Sequence, residues 1–261
     1  MVDAVGYYTT MPMKLQPSNR EDLSRFLVHL TRDSDETAAR DNLVSILRAK
    51  TIEARHAHCL FQYDFSRLKF SKVLTKRFRT VCFTETPLIH IQRLTGTIPG
   101  RRVKLKGYGL VFAKDALIER GACPAIYLNA KGTHLKEYLL SRFRSDFKTT
   151  NKLKTLRQEQ AQHHDSIIRY YSLMNIIASN YDFSWEREWR YSGSFKFKYI
   201  DIIAIIAKKP EAFESYCKCQ LPAPSRKWID RIPMISPTYG YEEVVETMST
   251  KIWNDAVDNL E

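Results

Sequence analysis

The chain has 261 residues, of which 44% are hydrophobic and 12% aromatic, enough apolar material for a sizeable core and too much for a disordered chain. Forty-one Lys and Arg against 29 Asp and Glu leave a formal charge of +12, a field that draws polyanions such as nucleic acid or a phosphate-bearing cofactor. No apolar run approaches the roughly 20 residues that span a bilayer. The opening MVDAVGYYTTMPMK lacks a basic start followed by an apolar stretch, so a cytoplasmic protein is expected.

In chain order, Phe26 to Thr31 (FLVHLT) reads as a short strand, and Ser34 and Asp35 offer an N-cap for a helix with Leu43, Ile46 and Leu47 on one face. TVCFT, from Thr80 to Thr84, is a second strand; Glu85 and Pro87 close it and lead into a short helix through Ile91 and Leu94. YGLVFA (108–113) is a strand, Lys114 to Arg120 a helix stopped by Gly121, and PAIYL (124–128) another strand. Between residues 131 and 180 the period changes. Leu135, Leu139 and Phe143, then Ile167, Tyr171, Met174 and Ile177, recur at helical spacing and predict an insertion of two or three helices within a single domain spanning 1–261. EREWRYSG and FKFKYIDIIAIIAKK return to period two, with Ser192-Gly193 as a turn between paired strands, and a last helix runs from about Tyr241 to Leu260. The fold class is α+β: mostly antiparallel short strands with inserted helices.

The charge is uneven. Residues 66–106 hold eleven basic side chains and one acid, Glu85, and residues 131–157 hold eight basic and two acidic ones. Aromatics such as Phe70, Phe78 and Tyr108 lie among them, a mixture that suits a nucleic-acid partner, RNA or DNA. Five cysteines show no framework spacing and read as reduced thiols; Cys217-Lys218-Cys219 has no second Cys/His pair at finger spacing, so no metal is expected. No Walker-type loop or G-x-G-x-x-G occurs, which removes P-loop nucleotidases and Rossmann dehydrogenases.

The densest chemistry is DFSWEREWRYSG. On a continuous strand, Glu186, Glu188 and Arg190 share one face and Trp185, Arg187, Trp189 and Tyr191 the other, with the two carboxylates roughly 6–7 Å apart. Carboxylates so close raise each other's proton affinity unless a cation sits beside them, and Arg190 is the local cation. Taken alone, this pattern equally describes an edge strand with an exposed Glu/Arg ladder toward Lys196 and Lys198.

A second pattern lies far away. VHLT (28–31), then NLVSIL (42–47), then Ile52 gives a strand with H-x-T, a helix and a strand, an order that resembles the opening of the DarT-like ADP-ribosyltransferases. A wider set, VHLTR, NLVSIL, VCFTETPL, YGLVFAK, GACPAIYL and FSWEREWR, is similar to the AbiGi abortive-infection family of bacterial phage-defence proteins. The resemblance implies an ADP-ribosyltransferase-like core and a role in an abortive-infection or toxin–antitoxin pair, with a cognate antitoxin or toxin as partner. It also implies NAD as substrate, with Glu188 at the catalytic position of an E-x-E strand and Glu186 orienting or deprotonating the nucleophile. His29 and Thr31 would lie at the ribose or nicotinamide. Arg32, Arg77 or Arg79 would meet the pyrophosphate, Arg79 standing with Glu188 and Glu186 among the catalytic groups, and Thr84 and Glu85 would border the pocket. The insertion at 131–180 has no counterpart in the DarT-like proteins. An NAD glycohydrolase using the same site and a non-catalytic antitoxin or interaction module are the alternatives; the Asp, Glu and Lys clusters of a metal-dependent nuclease are not apparent.

Overall fold

In the computed structural model the described residues are 24–258, apart from 102, 130, 132, 149–157 and 178–183. The strands are β1 (Phe26–Arg32), β2 (Thr51–Ile52), β3 (Thr80–Thr84), β4 (Leu105–Ala113), β5 (Cys123–Pro124), β6 (Ile126–Asn129), β7 (Met174–Ile177), β8 (Glu188–Ser192), β9 (Phe195–Lys196), β10 (Ile202–Ala207) and β11 (Met234–Ile235). The helices are α1 (Ala39–Ala49), α2 (Asp64–Arg67), α3 (Lys72–Arg77), α4 (Lys114–Glu119), α5 (Leu135–Lys148), α6 (Gln158–Leu173), α7 (Pro210–Gln220), α8 (Ala223–Arg231) and α9 (Tyr241–Asp258), and a 3₁₀ turn covers Leu88–Leu94.

Seven strands form one mixed sheet in the order β11-β10-β4-β1-β3-β8-β5, antiparallel except for β10 against β11. The protein is α+β, as the sequence predicts. No helix among the described residues is long and apolar enough to cross a membrane.

Alternation sorts the sheet faces. Leu27, Val81, Phe83, Leu110, Phe112, Trp189 and Ile205 point into the main core, where Leu43 and Leu47 of α1, Phe213 of α7 and Ile229 of α8 meet them. On the opposite face Val28, Leu30, Val111, Ala204 and Ile206 pack on Leu88, Ile91, Leu94 and Val244. A third cluster, rich in phenylalanine, joins Phe61, Phe65, Leu74 and Phe78 to Leu139, Phe143 and Phe147 of α5 and to Ile168 and Tyr171 of α6.

The close contact of β1 with β4 needs a glycine. A Cβ on Gly109 would lie 2.3 Å from the His29 carbonyl oxygen, backbone that cannot swing aside. Gly109→Ala is expected to cost about 1–3 kcal/mol by this overpacking, read from the midpoint of urea unfolding.

Several elements depart from expectation. Helix α1 begins at Ala39, and the side chain that reaches its first turn is Asp33, accepting from the Ala39 amide at 2.8 Å, rather than Ser34 or Asp35. Met174 to Ile177, expected as helix, form β7, parallel to β6: Ile176 and Ile177 are β-branched and pack well on a pleated surface. Ser192-Gly193 does not join paired strands, since β9 pairs with β2 while β8 lies between β3 and β5. The proline-containing tail carries α7 and α8, each with Pro at its first turn, where the missing N–H has no helical partner to lose.

Candidate functional site

The face of β3 and β8 away from the main core is polar. Register places Thr84 opposite Glu188, Cys82 opposite Arg190 and Thr80 opposite Ser192, whereas Phe83 and Trp189 face the core. Arg190 grips Glu188 at two points, Nε to Oε1 and Nη2 to Oε2, each at 3.0 Å, and Tyr127 of β6 donates its hydroxyl to Oε2 at 2.8 Å. The third arm, Nη1, donates to the Ser172 carbonyl of α6 at 2.8 Å, so one guanidinium ties the sheet to the helical layer. The Arg190 side chain is 1% exposed and that of Glu188 14%.

Charge follows from this geometry. Desolvation pushes the Glu188 carboxyl up, but attraction to Arg190 and hydrogen bonds from Arg190, Cys82 and Tyr127 outweigh it, and its pKa lies below the ordinary value. Glu188 is therefore ionised at neutral pH. The Tyr127 hydroxyl is pushed well up by burial and by the Glu188 charge, which keeps it a donor.

Glu186 is not on the strand with Glu188, contrary to the expected E-x-E alternation. Ser184–Glu186 is a 3₁₀ turn, Arg187 is left-handed at φ 48°, and β8 begins at Glu188. A non-glycine residue in that region costs on the order of 1–3 kcal/mol and persists only where its surroundings impose it. Here the Thr84 hydroxyl donates to the Glu186 carbonyl at 2.6 Å, and the Glu85 amide donates to the Arg187 carbonyl at 3.1 Å. Trp185, expected to share a strand face with Trp189, is 44% exposed, whereas Trp189 is buried. The Glu186 carboxylate has its own cation: Arg101 Nη1 donates to Oε1 at 2.9 Å. Burial raises the pKa of Glu186, the Glu188 charge adds to that, and Arg101 offsets part of it.

Two imidazoles that composition did not single out stand at this face. His58 is exposed yet hemmed by protein; desolvation first, then Arg190, His56 and Arg32, lower its pKa to about 4, while the Glu188 charge opposes them. It is neutral at pH 7. His56 accepts at Nε2 from Arg32 Nη2 at 3.0 Å, because arginine can only donate, so its proton sits on Nδ1. A break in the β1–β4 register between Leu30 and Arg32 accompanies this reach. Desolvation, then Arg32, Arg79 and Arg55, lower the pKa of His56. Neither Arg32 nor Arg79 has a carboxylate partner among the described residues.

His29 shares the main-core face of β1 with Leu27, meets Phe83 edge-on with ring centroids 5.9 Å apart, and donates from Nδ1 to the Cys82 carbonyl at 2.9 Å. The structure does not bring it together with Glu188, which lies across β3 on the other face; the imidazole within electrostatic reach of Glu188 is His58. Burial lowers the pKa of His29. Thr31 is buried, its hydroxyl reaching the carbonyls of Ala39 and Tyr108 at 2.8 and 3.1 Å. Glu85 has both oxygens committed, one to Lys114 Nζ and one to Trp189 Nε1, each at 2.9 Å, so it fastens β3 to α4 and β8 rather than bordering an opening. Arg77 pairs with Asp165 of α6. Thr84 acts through the Glu186 backbone, as described.

The residues missed by pattern reading, His56, His58, Arg101 and Tyr127, come from loops or a short strand and carry no periodic signal. The doublet H-A-H at 56–58 is the one feature that could have drawn attention. No family model matches the chain, and no significant match arises among curated proteins or solved structures.

Proposed function

We propose that the chain is an NAD-dependent ADP-ribosyltransferase effector of a bacterial phage-defence or toxin–antitoxin system, modifying RNA or DNA, with Glu188 as its central carboxylate. One observation carries the reading: Glu188 is ionised and largely enclosed, yet still reached by solvent, on a strand one removed from the H-x-T strand β1. The sequence resemblance to the DarT-like family supports the same chemistry, and that to the AbiGi family supports the phage-defence setting.

NAD supplies an activated ribose whose bond to nicotinamide breaks with positive charge building on the sugar. Glu188 places a fixed negative charge for that cation, in surroundings where such a charge counts for more than in water. Glu186, whose proton affinity is raised, takes the proton that the acceptor loses as it bonds to the ribose. Arg32 and Arg79, converging on His56 without carboxylate partners among the described residues, suit a pyrophosphate. For the acceptor strand, Arg67, Lys69, Lys72 and Lys76 are exposed around α2 and α3 beside Tyr63, which is 76% exposed.

A second reading, a non-catalytic interaction module, draws on the saturation of Glu188 by Arg190 and Tyr127, which also describes a structural tie. NAD labelled in its ADP-ribose part, incubated with single-stranded RNA or DNA, separates the two. The expected result is nicotinamide release with label in the nucleic acid, decreasing as salt rises. Nicotinamide release with label only in free ADP-ribose identifies a glycohydrolase. No nicotinamide release with either acceptor rejects catalysis in favour of the interaction module.

A further inference from the structure

We propose that Arg101 is the positioning residue of the transfer reaction, holding the Glu186 carboxylate in place and charged so that it can take the acceptor's proton. The inference rests on the proposed transferase function, and it adds a residue that neither the motifs nor the resemblance contains.

The loop that delivers Arg101 is built for the purpose. It leaves the 3₁₀ turn at Leu94 and reverses through Gly96 at φ 107° and Gly100 at φ 77°, a region that favours glycine. It is fastened where the Gly96 amide meets the Leu105 carbonyl and the Arg101 amide meets the Ile98 carbonyl, each at 3.1 Å. The guanidinium then makes two contacts, Nη2 with the Leu94 carbonyl at 2.5 Å and Nη1 with Glu186 at 2.9 Å. Its side chain is 7% exposed.

Glu186 is held from three directions: by Arg101, by the Thr84 hydroxyl on its own carbonyl, and by the left-handed Arg187 that follows it. One of these contacts holds the half-buried carboxylate and the other two fix the backbone that carries it, which is more than a surface ion pair requires. Arg101 is also left incomplete. Its Nε is buried without a hydrogen-bond partner among the described residues, and unsatisfied buried donors are few in native structures. Among the described residues, Arg101 from the loop favours the ionised form of Glu186, while Glu188 from β8 opposes it and Tyr127 from β6 lies within electrostatic reach.

The test compares wild type, Arg101→Gln, Arg101→Lys and Glu186→Gln in label transfer from NAD to single-stranded RNA or DNA between pH 5 and 9. Carbon-13 titration of the Glu186 carboxyl runs in parallel and does not depend on turnover. Arg101→Gln is expected to lower kcat about 10-fold or more near pH 6, leave KM for NAD within about twofold, and move the acid limb of the profile upward by about one unit. The carboxyl titration moves by the same amount. Glu186→Gln abolishes that limb. Arg101→Lys keeps the charge without the planar two-point grip, so the limb stays in place while kcat falls several-fold. An active wild type with unchanged kcat and limb in Arg101→Gln overturns this inference alone. Should that variant not fold, unchanged kcat in Arg101→Lys overturns it. A wild type that releases no nicotinamide overturns the underlying reading and the inference together.

Discussion

Glu188→Gln is expected to reduce nicotinamide release from NAD by at least about 100-fold, the order of effect seen when one preorganised charge-stabilising group is removed. The same substitution removes the counter-charge of a guanidinium that is 1% exposed, so stability is expected to fall by about 3–5 kcal/mol. Activity and stability must therefore be separated. The pair Glu188→Met with Arg190→Met removes both buried charges, and replacing such a pair by apolar groups is often neutral or favourable. Urea unfolding should show most of the lost stability recovered in the double variant, with nicotinamide release still absent. A double variant that regains wild-type release would show that Glu188 acts only through the fold, and the catalytic reading would fail.

Phe143→Ala is expected to cost about 3–5 kcal/mol, since a large aromatic is lost from a site that is 0% exposed. Its ring stacks on Phe61 at 4.4 Å between centroids and meets Phe147 at 4.9 Å and Tyr171 at 5.0 Å, with Phe70 and Phe78 each at 5.9 Å. These partners come from the segment before β3, from α5 and from α6, so few neighbours can collapse into the gap without moving a helix. The unfolding midpoint in urea measures the loss, and a change below about 1 kcal/mol would mean that the cluster is far looser than its geometry implies.

Local patterning exposed much of the sheet. FLVHLT, TVCFT and YGLVFA carry their own alternation, and their apolar positions are those that reach the cores. What patterning could not supply was partner choice and the exceptions to alternation. IIAIIA reads as a buried strand from any angle, but its two partners are β4, far upstream in the chain, and β11, some thirty positions downstream. EREWR looks like five strand residues because nothing in Arg187 announces a left-handed backbone; that conformation is imposed by Thr84 and Glu85, a hundred residues upstream. His58 and Arg101 sit on irregular segments where period carries no information, and only the fold shows that one stands near Glu188 and the other holds Glu186.

A single register pair, Val28 with Thr84, joins β1 to β3, and the next carbonyl along, that of Cys82, is taken by the His29 ring instead of a strand amide. In mechanical terms the seven strands make two leaves stitched at one point, β11-β10-β4-β1 on one side and β3-β8-β5 on the other. Bending of the sheet concentrates where the stitching is sparsest. The histidine of the H-x-T motif thereby serves as the clasp of that seam, and Glu188 lies on the leaf beyond it.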